Sequence, residues 1–104
     1  MDQKDKVGTF RVMSSFTIRR KKEFYLIGEL LEGSLKVDYY INVILNTTLA
    51  VSAKISSIEE IEIENDSKIY QLIIIESEDD ELNDILFSLN VGNENIDITL
   101  NGKD

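Results

Sequence analysis

Apolar residues recur at every second position along most of this chain, the period of strands whose alternate side chains point to opposite faces. Phe10, Val12, Phe16 and Ile18 share one parity, with mostly polar residues between them, which predicts a first strand with those four side chains on its buried face. Glu23 to Gly33 reads as a second strand paired with the first across a charged loop. Gly28 within it marks a bulge or a close backbone approach, and Gly33 a turn. Ile41, Val43 and Leu45 continue the pattern in a third strand, and Asn46-Thr47-Thr48 supplies turn chemistry after it. The strongest alternation follows, with Leu49, Val51, Ala53, Ile55, Ile61 and Ile63 on one face and Ser52, Lys54, Ser56, Glu60, Glu62 and Glu64 on the other. A strand this long must bend or be shared between two pairings, and the break in parity at Ser56-Ser57-Ile58 is the expected place for a bulge.

Beyond an Asn65-Asp66-Ser67 turn, Ile69 to Ile75 is apolar on both faces, which predicts a strand central to the sheet. The period then changes. Leu82, Ile85 and Leu86 stand at i, i+3 and i+4 behind acidic residues that suit a helix N-terminus, so one short helix is expected to plug a barrel end. Gly92-Asn93 turns into a closing strand, Asn93 to Asn101, with Ile96, Ile98 and Leu100 inward. The fold expected is all-β: a small closed or nearly closed antiparallel β-barrel of six to seven strands with one short helix, over residues 9–101 between tails 1–8 and 102–104. Closure also removes the edges that so apolar a sheet would otherwise expose.

The 104 residues suit one such core, and the 42% hydrophobic content suits a folded chain. Cys and His are both absent, which removes disulfides, thiol and imidazole chemistry and the zinc, haem and iron–sulfur sites built on those ligands. No apolar run approaches the roughly 20 residues of a membrane span, and Met1 to Lys6 mixes both signs before no apolar segment, so a cytoplasmic location is expected. The net charge of −9 opposes nucleic acid and anionic lipid. It is unevenly spread, +3 over residues 1–58 and −12 over residues 59–104.

Phe16-Thr17-Ile18, a charged loop, and the unbroken run Leu26-Ile27-Gly28-Glu29-Leu30-Leu31-Glu32-Gly33-Ser34-Leu35-Lys36-Val37 resemble the second-domain β-barrel of the elongation-factor-Tu-type translational GTPases. That barrel's pattern is F-x-I, a loop containing R-G, a strand with hydrophobic-G-x-hydrophobic, then G-x-I/L-K-x-G-D/E. The resemblance covers about residues 9–45 and rests on strand count beyond them. It implies a barrel whose second strand bends at Gly28, turns at Gly33 and leaves through Lys36 toward a third strand. Two departures stand out: Arg19-Arg20-Lys21-Lys22-Glu23 replaces the R-G loop, one residue longer and without its glycine, and Asp38 stands where the family has glycine. No G-x-x-x-x-G-K-S/T occurs, so nucleotide hydrolysis is not expected of this chain. In the family this barrel packs on the GTPase domain and, in the tRNA carriers, helps hold the aminoacyl end. No residue-by-residue match to those contacts exists here, so the resemblance implies the fold and leaves the partner open.

Several clusters carry candidate chemistry. Arg19, Arg20, Lys21 and Lys22 offer either a phosphate or acidic-partner site or a solvated turn. Tyr39-Tyr40 places one tyrosine on each face of the third strand, so that one ring is exposed as an anchor or packs under a loop. Glu76, Glu78, Asp79, Asp80, Glu81 and Asp84 are dense enough for a divalent cation, but lack the spacing and glycine of a calcium loop, and Ser77 with Asp80 resembles a helix cap. Outward carboxylates such as Glu60, Glu62 and Glu64 read as surplus surface acids unsuited to acid–base work, and Ser14 and Ser15 have no histidine to activate them. An enzyme is therefore not expected, nor is a cofactor or a metal. The expected function is a binding module that engages a protein partner. The alternative is a small acidic inhibitor or immunity-type protein that neutralises a basic enzyme through Glu60, Glu62, Glu64, Asp79, Asp80 and Glu81. RNA or ribosome binding at Arg19 to Lys22 is a weaker one.

Overall fold

The computed structural model describes residues 6–46, 49–62, 68–88 and 92–101. Its strands are β1 (Lys6–Ile18), β2 (Glu23–Gly33), β3 (Tyr40–Asn46), β4 (Leu49–Lys54), β5 (Ser57–Glu62), β6 (Ile69–Glu76) and β7 (Glu94–Thr99), with a 3-10 turn at Arg19–Lys21 and one helix, α1 (Asp80–Ser88). They form one antiparallel sheet in the order β4-β3-β7-β1-β2-β6-β5. The sheet's two edge strands are consecutive in sequence, so the chain between them crosses the gap. Ile55 and Ser56 make that crossing. Ile55 bonds to the β3 side, its N–H donating to the Tyr39 carbonyl at 2.8 Å and its carbonyl accepting from Asp38 at 3.0 Å. Ser56 bonds to the β6 side, its N–H donating to the Ile74 carbonyl at 2.9 Å and its Oγ accepting from the Glu76 N–H at 2.9 Å. The long alternating run is thus one bent strand shared between two partners, and the barrel is nearly closed by this bend without a ladder between β4 and β5.

The core fills the inside of that curve. Phe10 and Val12 of β1, Phe24 and Leu26 of β2, Ile41 and Val43 of β3, Ile73 and Ile75 of β6, and Ile96 and Ile98 of β7 form one cluster with Ala53 and Ile55. Leu86 of α1 is fully buried in the same cluster and Leu82 packs against it, so the helix covers core that no strand covers. Gly28 stands where β1 leaves no room for a side chain: a Cβ there would lie 1.9 Å from the Arg11 carbonyl oxygen. Gly33 ends β2 at φ +81°, a left-handed conformation that glycine adopts without steric cost.

Two irregularities move side chains away from their expected places. The β1–β2 register runs Val12↔Gly28 and then Ser14↔Ile27, so Met13 is an extra residue. A one-residue slip turns every later side chain to the other face. Phe16, expected inside, therefore lies outside and is 44% exposed. The bend at Ile55 and Ser56 does the same to the second half of the long run. Ile58 packs on the core, which puts Glu60 and Glu62 on its side of β5 and Ile61 opposite, the reverse of the expected faces. Leu100, expected inward, follows the end of β7 and is 44% exposed. Residues 6–8, expected in the tail, already pair in β1. The turns expected at Thr47-Thr48 and Asn65 to Ser67, the side chains of Leu45 and Leu49, and Ile63 and Glu64 lie outside the described residues.

Candidate binding surfaces

The basic hairpin and the acidic helix start, remote in sequence, meet in space. Lys22 closes the 3-10 turn at φ 56°, its N–H donating to the Arg19 carbonyl, and its Nζ lies 3.4 Å from Glu78 and 3.7 Å from Asp80. The hydrogen bond to Glu78, and then the charges of Glu78 and Asp80, raise the Lys22 pKa above its ordinary value. One of the four cations of this run is thus already paired with carboxylates of the same chain. Arg20 and Lys21 are exposed at the hairpin tip.

Asp79 has a structural task as well. Its Oδ1 accepts from the N–H groups of Glu81 at 3.0 Å and Leu82 at 3.2 Å, the N-cap geometry that satisfies orphan donors of a first helical turn. The Ser77 Oγ accepts from the Asp79 N–H, and the buried Asn83 donates from Nδ2 to the Ser77 carbonyl at 2.8 Å. The capping expected of Ser77 with Asp80 is made by Ser77 and Asp79. Asp80 and Glu81 occupy the first turn, where negative charge is favoured. Among the described residues no group of three or more acids converges as a metal ion requires.

Tyr39 packs against the core and Tyr40 lies on the other face of the chain, both half-buried, so neither ring is fully exposed. Glu60 lines a cleft of about 290 Å³ at one barrel mouth with Leu30, Ile69 and Gln71, and the Gln71 Oε1 is buried there without a hydrogen-bond partner among the described residues. Glu62, exposed, follows Glu60 on the same side of β5. The acids expected to share one face are therefore divided between a barrel mouth and a helix start.

A larger feature lies on the outside of β1, β2, β6 and β5, and none of its apolar members was a candidate from sequence. Core residues alternate with outward ones along these strands, so Phe16, Tyr25, Ile27, Ile61, Tyr70, Leu72 and Ile74 all point away from the core. The register sets them side by side as Phe16↔Tyr25↔Ile74, Ile27↔Leu72 and Tyr70↔Ile61. Phe16 and Tyr25 stack with centroids 4.7 Å apart and planes within 6°. Tyr70 and Ile74 are buried although they face outward. Carboxylates flank it. The Tyr25 hydroxyl donates to Glu23, and its pKa is pushed up to about 12, first by that bond, then by desolvation and by the charges of Glu23, Glu76 and Glu59. The sequence signals were present: the run Ile69 to Ile75 is apolar on both faces because one side fills the core and the other builds this patch.

The fold and surfaces define the class, an all-β protein with one nearly closed antiparallel sheet. Comparison with known proteins finds no matching family model, no matching curated protein and no matching solved structure. Among the described residues no helix is long and apolar enough to cross a membrane.

Proposed function

We propose that this chain is a non-enzymatic binding module, built on a barrel like the second domain of the elongation-factor-Tu-type GTPases, that engages a protein partner. The observation that carries the reading is the outward apolar patch of exposed Phe16 beside half-buried Tyr25, Ile27 and Leu72, since adjoining apolar side chains on the solvent side of a small domain mark an interaction site. A backbone detail supports the barrel's kinship. Asp38 has φ 78° in a turn closed by the Tyr39 N–H donating to the Lys36 carbonyl at 3.2 Å, and the family pattern places glycine at this position. A left-handed conformation at the third residue of such a turn is the reason glycine is favoured there.

The acidic-inhibitor reading has less support, because Asp79 caps a helix, Asp80 pairs with Lys22, and Glu60 stands at a barrel mouth. RNA binding at Arg19 to Lys22 is opposed by the same Lys22 pairing and by the net charge. The test is affinity capture from source-cell lysate with and without nuclease treatment, followed by mass spectrometry. A stoichiometric protein retained after nuclease treatment is the expected result. Recovery of nucleic acid or nuclease-sensitive complexes alone would overturn the reading.

A further inference from the structure

The patch and its acidic surround together narrow the chemistry of what covers it. On strand parity Glu23, Glu59 and Glu76 face outward with Tyr25, Leu72 and Ile74, and Glu23 stands directly opposite Glu76 across β2 and β6. Like charges directly opposite on one face cost a sheet stability. Nothing in barrel folding requires them there, since Glu59 and Glu76 are exposed and unconnected with the core. At the other end of the patch Glu29 is bound by Lys68 at 3.1 Å.

We propose that the outer face of β1, β2, β6 and β5 is a docking surface for a basic amphipathic segment of another protein, whose apolar side chains cover Phe16, Ile27 and Leu72 and whose Lys or Arg side chains pair with Glu23, Glu59 and Glu76. Charge complementarity around an apolar centre selects this occupant. Apolar contact supplies affinity, while the carboxylates steer approach and exclude acidic competitors. A second copy of this chain is a poorer occupant, because each copy carries −9 and would bring the same acids to the contact. This inference rests on the protein-binding reading and adds to it the surface and the partner's chemistry.

The test uses a random dodecapeptide display library selected on the full chain, with affinities of the enriched peptides measured by calorimetry. Enrichment of peptides that combine Lys or Arg with large apolar residues is expected. Phe16→Ser and Leu72→Ser should each weaken the best peptide at least about tenfold. Glu59→Lys with Glu76→Lys should weaken it comparably and flatten its salt dependence. Ile44→Ser, exposed on β3 in the other half of the sheet, should leave it unchanged. Circular dichroism and melting of each variant separate lost binding from lost fold. No enrichment, enrichment of neutral or acidic peptides, or binding that survives the Phe16 and Leu72 changes would overturn the proposal, as would a dimer abolished by Phe16→Ser. Capture of a lysate protein equally well by wild type and Phe16→Ser/Leu72→Ser would overturn the surface and leave the module reading standing. Capture of no protein by either would overturn the module reading itself.

Discussion

The outside of the sheet has two halves that share one backbone hydrogen-bond pattern and one core, yet treat solvent oppositely. Over β4, β3 and β7 the middle of the outward face, Ser52, Asn42 and Thr99, is polar and its side chains bond to one another. Ser52 Oγ donates to Asn42 Oδ1 at 2.5 Å, Asn42 Nδ2 donates to Thr99 Oγ1 at 2.9 Å, and Thr99 donates in turn to the Asn101 carbonyl at 2.8 Å. Over β1, β2, β6 and β5 the same positions carry Phe16, Tyr25, Ile27, Leu72 and Ile74. A face whose polar groups already satisfy one another gains little from a partner and loses water by accepting one. A face of apolar side chains gains roughly 25 cal/mol for each Å² a partner removes from water. Isolated apolar exposure such as Ile44, on the polar side, is ordinary and carries no such weight. The difference teaches that binding capacity here is a property of side-chain parity on β1, β2, β6 and β5, not of strand pairing.

The sharpest way to break the comparison is to mutate the two sides of one strand pair. Phe24 points into the core from β2 and is fully buried. Phe24→Ala removes that ring and leaves a cavity, so the urea-unfolding stability should fall by about 3–5 kcal/mol, enough to unfold a marginal domain of this size. Asn42→Ala tests the polar half. Asn42 is nearly buried and holds both hydroxyl partners, so its loss should cost about 1–3 kcal/mol, read as a lower urea midpoint at unchanged slope.

Phe16→Ser should cost less than either. Its ring is largely in water, and what it contributes to folding is the stack on Tyr25, worth about 0.5–1.5 kcal/mol. A destabilisation as large as that of Phe24→Ala would mean that the patch belongs to the fold, and the contrast between the two halves would fail. A small one, together with greater solubility, is the outcome expected of a surface whose apolar character serves something outside the domain.

How much of this was legible beforehand depends on where parity holds. Ile41, Val43, Ala53, Ile55, Ile96 and Ile98 lie inside as their alternation predicts, because β3, β4 and β7 keep their register through these positions. Gly28, Gly33, the bend after Ile55 and the helix behind its acids were equally readable, since each is a local backbone requirement with a residue type to match. Phe16, Glu60 and Glu62 were misplaced for one shared reason. An extra residue at Met13 and a two-residue crossing at Ile55 and Ser56 each turn the following side chains over, and nothing in residue type announces such a slip. The patch was hidden by those errors, since it is assembled from residues that follow a slip and from the second faces of β2 and β6. The pairing of Lys22 with Glu78 and Asp80 joins residues more than fifty positions apart and had no local signal at all.

The smallest effect concerns the field over the apolar half. Tyr25 donates to Glu23 with Glu76 and Glu59 nearby, and its pKa is raised from 10.0 to about 12. Ionisation would put a phenolate among carboxylates and remove the donor, so the folded state holds this proton more tightly than the unfolded chain does. A pKa raised on folding contributes stability that is fully present below about pH 10 and is lost as pH climbs through the folded value near 12. Tyrosinate absorbance of the folded protein should therefore show a late ionisation step, and Tyr25→Phe should delete it. Glu59→Gln with Glu76→Gln should move the step down by less than Glu23→Gln does, because the hydrogen bond to Glu23 is the largest cause and the two charges are smaller ones. A Tyr25 that titrates at its ordinary value would mean that the carboxylates do not gather at this face, and the acidic border that separates the apolar half from a merely greasy surface would be gone.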